Sequence, residues 1–262
     1  MKIVVCIKQV PDTTEVRLDP KTGTLIRDGV PSIINPDDKA GLEAALKLKD
    51  DHGAHVTVLT MGPPQADNAL REALAMGADE AILLTDRKFA GADTWATSST
   101  LAGALKNMEY DLIVAGRQAI DGDTAQVGPQ IAEHLRLPHV SYVADLKVDG
   151  DAFIMKRMYE EGYHMIKAKK PLLITTLSEM NEPRYMSIQG VFDAYKEKEV
   201  KVWTLEDIKD NVEMSNMGLK GSPTKVKKSF TKGAKSAGKV FDVDAREGAK
   251  IIVEKLREKF II

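Results

Sequence analysis

Short runs of consecutive apolar residues alternate along the first half of the chain with longer stretches whose apolar residues recur at helical spacing. The runs are "IVVCI" (3–7), "HVTVLTMG" (55–62), "EAILLT" (80–85) and "YDLIVAG" (110–116). Between them lie "NPDDKAGLEAALKLKDDHG" (35–53), "PPQADNALREALAMGA" (63–78) and "DTWATSSTLAGALKNM" (93–108); "TAQVGPQIAEHLRL" (124–137) follows the last. Runs apolar throughout predict strands buried on both faces, and the alternation with helices predicts a parallel sheet. In the first helix Asn35 is the expected N-cap, Pro36 the N1 residue and Gly53 the stop. A hairpin is expected at "VRLDPKTGTLIRDG" (16–29), turning at Lys21-Thr22-Gly23.

After Pro138 the pattern changes to residue-by-residue alternation, with a turn at Asp149-Gly150-Asp151 and a buried strand at Leu172–Thr176. The expected fold is therefore α/β: a Rossmann-like parallel sheet with helices on both faces, an antiparallel extension and a C-terminal arm. Two regions are expected, 1–210 as the α/β domain and 211–262 as the arm and terminal helix. "DAREGAKIIVEKLREKF" (244–260) places Ala245, Ala249, Ile252, Val253, Leu256 and Phe260 on one helical face.

Composition adds a location for charge. The whole chain carries −2, but residues 217–239 hold seven lysines and no acid; without their +7 the rest stands at −9. The basic stretch is local, and its aromatic content is Phe230 alone. No nucleic-acid partner is expected. Cys6 is the one cysteine, so no internal disulfide is available. The apolar run at the N-terminus is too short for a membrane span. A cytoplasmic protein is expected.

Ligands on open parallel sheets bind beyond the carboxyl ends of the strands. Here those ends are Lys8-Gln9, Met61-Gly62 and Gly116-Arg117. The segment "GRQAIDGDTAQVGPQ" (116–130) leaves such a strand and opens a helix. A helix start at Thr124–Val127 would offer free amides and a hydroxyl to a phosphate. Asp121 and Asp123 would repel one; Asp123 is read as a helix cap and Asp121 as a ribose ligand or loop brace. A turn around Gly122 also needs no ligand. "INPDDKA" (34–40) starts a helix at the same edge. The five histidines show no metal-ligand spacing, and no nucleophile–base set follows from the sequence. In "SEMNEPRYMSIQGVFDAY" (178–195), Ile188, Val191 and Phe192 have helical spacing, which by pattern alone reads as a helix packing on its own domain.

Six ordered segments, "VVCIKQVPD", "GVPSIINPDDKAGLEAAL", "ALAMGAD", "GRQAIDGDTAQVGPQ", "EEGYHMIKAKKPLLIT" and "NEPRYMSIQGVF", together resemble the β subunits of electron transfer flavoproteins. The resemblance runs from Met1 to about Val202. It implies an obligate heterodimer with an FAD-binding α subunit, which the arm and terminal helix would wrap. It implies a nucleotide held by Cys6, by Asn35, Pro36, Asp37 and Asp38, and by Met61. The remaining contacts would come from Gln118, Ala119, Ile120, Asp121, Gly122, Asp123, Thr124, Ala125, Gln126, Val127, Gly128 and Pro129. It also implies that Glu182, Arg184, Tyr185, Ile188 and Val191 meet an acyl-CoA dehydrogenase. No catalytic acid–base residue and no metal are implied.

Simple members hold AMP in this site and pass electrons between acyl-CoA dehydrogenases and a quinone-linked acceptor. Mitochondrial-type members read Asp-Asp-Asp-Cys-Asn-Gln-Thr-Gly-Gln where this chain reads "DGDTAQVGP", and carry a lysine run in place of "FDAYKEKEVKV". Both departures resemble the electron-bifurcating members. In those, the β site holds FAD, which takes hydride from NADH and divides the electrons between ferredoxin or flavodoxin and, through the α flavin, the dehydrogenase. A lone nucleotide-binding module with the same sheet is the rival of another class; it has no need of "NEPRYMSIQGVF".

Overall fold

The computed structural model describes residues 1–12, 31–225 and 238–262. The chain divides into two compact units, Met1–Lys227 and Lys228–Ile262. The hairpin expected around Lys21-Thr22-Gly23 and the centre of the lysine-rich stretch, Phe230 included, lie outside the described residues.

The first unit is built in the expected alternation. Strand β1 (Lys2–Cys6) is followed by β2 (Gln9–Pro11) and β3 (Ser32–Ile34), which pair as a small antiparallel ribbon. Then come α1 (Pro36–His52), β4 (His55–Met61), α2 (Asp67–Met76), β5 (Glu80–Leu84), α3 (Thr94–Leu105), β6 (Leu112–Gly116) and α4 (Val127–Leu135). The antiparallel extension is β7 (His139–Asp149), β8 (Ala152–Tyr159) and β9 (Gly162–Lys169), and β10 (Leu172–Thr176) returns to the parallel core. After α5 (Ile188–Lys196) and β11 (Val200–Trp203), two short turns of helix, α6 (Leu205–Ile208) and α7 (Gly218–Gly221), close the unit.

The described strands of the main sheet run β11-β5-β4-β1-β6-β10-β7-β8-β9. Every pairing from β11 to β7 is parallel, and the two beyond are antiparallel. Alternation along each strand sorts the core into two layers. Ile3, Val5, Leu112, Val114 and Ile174 face α1 and α2, where Leu42, Leu46, Leu70 and Leu74 cover them. Val4, Cys6, Ile113, Ala115 and Leu173 face α3 and α4, where Leu101, Leu105 and Ile131 cover them. The runs are apolar throughout because both faces are covered. Each fully buried aliphatic side chain contributes about 1.5–3 kcal/mol.

Three boundaries differ from expectation. The chain from Val212 to Thr224, expected in the arm, packs on the body, with Met217 and Ser222 buried there. Asn35 precedes Pro36 at N1 but makes no side-chain cap, although Gly53 does stop α1 in the left-handed conformation, φ 64°. Helix α4 begins at Val127, with Gln126 as its cap residue, three residues later than the sequence suggests.

In the second unit α8 (Ala245–Glu258) starts at Asp244, whose carboxylate accepts the amides of Arg246 and Glu247 at 2.9 Å each. No residue of α8 is buried.

Candidate functional site

The parallel strands bring their carboxyl ends to one edge. There the chain order reverses: β4 and β5 lie on one side of β1, and β6 lies on the other. Such a switch point leaves a crevice. A cavity of about 630 Å³ occupies it, within the range of small-molecule sites.

Cys6 from β1, Ile7 just after it, Met61 from β4 and Ala115 from β6 line its inner wall, beside Asp38 from α1. Asp38 is buried and ties three elements together. Its Oδ2 accepts the Lys8 amide at 2.7 Å and its Oδ1 the Gly116 amide at 3.0 Å. Gly116 has no room for a side chain, because a Cβ would collide with Asp38 Oδ1. Burial pushes the Asp38 carboxyl up to about 7, against the pull of these hydrogen bonds. Burial, and next the Asp38 charge, push the Cys6 thiol up to about 12, so it stays protonated.

The segment 117–126 crosses the cavity as a loop held from below. Asn35 Nδ2 donates to Gln118 O at 2.8 Å, and Asn35 Oδ1 accepts the Ile120 amide at 3.0 Å. This use of both amide atoms is why Asn35 does not cap α1. Asp121 pairs with Lys8 Nζ at 2.6 Å. Asp123 accepts from Gln118 Nε2 and does not cap α4. Asp123 and Ala125 both stand at φ 52°, a conformation that non-glycine residues rarely keep. Strain of this kind concentrates at binding sites.

Not all sequence-predicted residues face the cavity. Gln118, Ala119 and Gly122 line it, as do Thr124, Ala125, Gln126, Val127 and Gly128. Asn35, Pro36, Asp37, Ile120, Asp121, Asp123 and Pro129 do not. Asp37 looks elsewhere: its Oδ1 accepts the Ser178 amide at 3.0 Å, and its Oδ2 lies 3.3 Å from Arg117 Nε.

The electron transfer flavoprotein domain profile matches residues 22–208. The electron transfer flavoprotein subunit beta of Clostridium acetobutylicum is 62% identical over the full length of both chains. The chain belongs to the electron transfer flavoprotein family. The caffeyl-CoA reductase-Etf complex subunit CarD of Acetobacterium woodii is 55% identical, and the acryloyl-CoA reductase electron transfer subunit gamma of Anaerotignum propionicum 48%, each covering all of both chains.

In this flavoprotein-family chain the outer wall of the cavity was not foreseen. It comes from the β5–α3 connection, with Thr85, Arg87, Phe89, Gly91, Asp93 and Thr94. The rule that picked out Met61-Gly62 applied equally to Leu84-Thr85, the end of the next parallel strand. Thr94 Oγ1 donates to Gln126 Oε1 at 2.9 Å and so bridges the two walls.

The segment 182–195 is shaped differently from a helix that buries its apolar side. Ile188 is 94% exposed and Tyr185 97%, while Val191 and Phe192 are also exposed; Ala194 is the residue that α5 buries. Glu182 is exposed. Arg184 is committed internally, its Nε 2.9 Å from Glu43 Oε2 and its Nη2 2.8 Å from Asp50. It fastens the segment to α1 and leaves Tyr185 and Ile188 outside. Among the described residues no helix is long and apolar enough to cross a membrane.

Proposed function

We propose that this chain is the β subunit of an electron-bifurcating electron transfer flavoprotein, that its cavity holds FAD, and that it works in the cytoplasm as an obligate heterodimer with an FAD-binding α subunit. The observation that carries the FAD reading is the extent of the cavity. The family motif accounts for the wall from Cys6 to Gly128, where an AMP would suffice. The same cavity, about 630 Å³, is also lined by the β5–α3 connection, Arg87 and Asp93 included. An elongated dinucleotide fits that extent better than a mononucleotide.

The residues present suit such a group. Val127 and Gly128 are the first two residues of α4, and their amides have no partner within the helix; Pro129 at the third position has no amide. Thr124 adds a hydroxyl. The aspartates are disposed so as not to oppose a phosphate, since Lys8 neutralises Asp121 and Asp123 is turned out of the cavity. Asp38 and Cys6 shape the inner end, where an adenylate is expected. When bound, FAD supplies the capacity to take hydride from NADH and to pass electrons singly toward ferredoxin or flavodoxin and the α flavin. The chain's own part is to hold, orient and bury that group.

The exposed Tyr185 and Ile188, set on a segment anchored by Arg184, supply the docking face for an acyl-CoA dehydrogenase. The relatives' names, caffeyl-CoA reductase and acryloyl-CoA reductase, support a CoA-ester reductase as partner class. The chain that follows the body, with the rest of the lysine-rich stretch and α8, is proposed to wrap the α subunit. The deciding experiment is to denature the purified heterodimer and quantify the released nucleotides. Two FAD per dimer are expected; one FAD and one AMP would leave a plain electron carrier.

A further inference from the structure

The outer rim of the cavity, Gly91–Thr94, is fastened from behind by chain that follows the last strand. The Leu219 amide donates to Ala90 O at 3.0 Å. The Asp93 amide donates to Ser222 Oγ at 2.8 Å, and Ser222 Oγ donates to Gly218 O at 2.8 Å. Thr224 donates both its amide, at 2.9 Å, and its hydroxyl, at 2.6 Å, to Asp93 Oδ2. The other oxygen of Asp93 accepts the Ala96 amide at 3.0 Å and so caps α3. One carboxylate thus joins the rim, a helix start and the segment behind.

The fit is close. Gly218 stands at φ 56°, and a Cβ there would collide with Lys88 O. Ser222 is buried although polar, its hydrogen-bonding capacity used by the rim and by Gly218. A second hollow of about 600 Å³ is lined by Gly91, Ala92, Asp93, Leu219, Thr224 and Lys225.

We infer that the Asp93–Thr224 clasp is a positioning device that couples the segment 218–224 to the nucleotide cavity. The clasp holds the rim against a bound nucleotide, and a bound nucleotide in turn steadies the clasp, because coupling between two sites is reciprocal. The inference rests on the nucleotide reading above. Asp93 and Thr224 act through the rim.

The test uses the full heterodimer stripped of its β-site nucleotide and titrated with FAD. Thr224→Val keeps the shape of the side chain and removes the hydroxyl bond to a charged acceptor; Thr224→Ser keeps that bond. The valine variant is expected to bind FAD at the β site about five- to tenfold more weakly, and the serine variant within about twofold of wild type. Hydrogen exchange in the peptide 217–225 should slow on FAD addition in wild type and Thr224→Ser, and much less in Thr224→Val. Should Thr224→Val fail to assemble, Ser222→Ala is measured in its place with the same expectation. Unchanged affinity together with unchanged FAD protection in the variant would overturn the clasp. A wild-type heterodimer that takes neither FAD nor AMP at this site would overturn the nucleotide reading itself.

Discussion

Asp38 Oδ1 accepts the backbone amide of Gly116 at 3.0 Å across the gap between α1 and the end of β6. The same burial that makes this bond strong opposes the ionised carboxylate and raises its protonation from 3.8 to about 7. The sign follows. Between about pH 4 and 7 the folded chain binds the proton more tightly than the unfolded one, so stability falls as pH rises through that window. Above about 7 both states are ionised and the cost is fully present. The slope from this group is at most about 1.4 kcal/mol per pH unit. Urea unfolding of the nucleotide-free chain at several pH values should show that slope in wild type and lose it in Asp38→Asn. An identical pH dependence in both would refute the assignment.

Cys6 gives a simpler test. Its thiol is buried and pushed up to about 12, so the reactive thiolate is scarce at pH 8. The native chain should resist alkylation by iodoacetamide at that pH for hours, and should label promptly in urea. Prompt labelling of the folded chain would show that the inner wall opens.

Arg184 and Glu43 form a forked pair, with Glu43 buried and the guanidinium about a third exposed. Arg184→Ala removes the charged partner of a buried carboxylate and leaves it the backbone amide of residue 184, at 3.0 Å. Because the guanidinium is partly solvated, the cost of Arg184→Ala should lie near about 2–3 kcal/mol rather than higher. Arg184→Lys should recover only part, since an ammonium cannot make both bonds. Chemical denaturation measures this directly, and a loss under about 0.5 kcal/mol would make the pair an ordinary surface contact.

Ile188 is nearly fully exposed on a segment that Arg184 anchors. An aliphatic side chain buried at the centre of an interface contributes about 1.5–3 kcal/mol. Ile188→Ala should therefore weaken docking of the acyl-CoA dehydrogenase about tenfold while FAD content and NADH reduction stay level. Unchanged docking would move the partner face elsewhere.

The sheet was legible because its strands are covered on both faces. Leu172–Thr176 was read with its observed limits, and Ile3–Ile7 ended one residue early, at Cys6. What the pattern could not carry is how side chains divide their hydrogen bonds. Asn35 before Pro36 has every local sign of a cap, yet its amide is spent on Gln118 and Ile120, more than eighty residues away. Asp123 was read as a cap because nothing local shows that Asp123 and Ala125 adopt positive φ and delay α4 to Val127. Helical spacing at Ile188 and Val191 was real, but the residue α5 buries is the small Ala194, and Gly190, where a Cβ would collide with Ala75 O, lets α5 lie close to α2. The wall from Thr85 to Thr94 has no motif of its own, and only the strand-end rule pointed there.

Asn35 supplies the sharpest test of how the loop is held. It is fully buried, and it presents a donor to Gln118 O and an acceptor to the Ile120 amide. Asn35→Ala removes both bonds and leaves two polar backbone groups without their partner, each loss costing about 1–3 kcal/mol where water cannot enter. Much of that cost falls on the loop, which is otherwise tied by the Lys8–Asp121 pair. Nucleotide affinity should fall at least about tenfold. Asn35→Asp is nearly the same shape and keeps an acceptor for Ile120. It also turns an oxygen toward Gln118 O and adds a charge beside Asp37 and Asp38. Repulsion should then make the aspartate variant bind nucleotide more weakly than alanine at pH 8, and lowering the pH toward 5 should recover part of the loss by protonating Asp38. Isothermal titration with FAD on the three heterodimers gives the order. Asparagine above alanine above aspartate supports the clip, whereas aspartate equal to asparagine would show that the donor to Gln118 O contributes nothing.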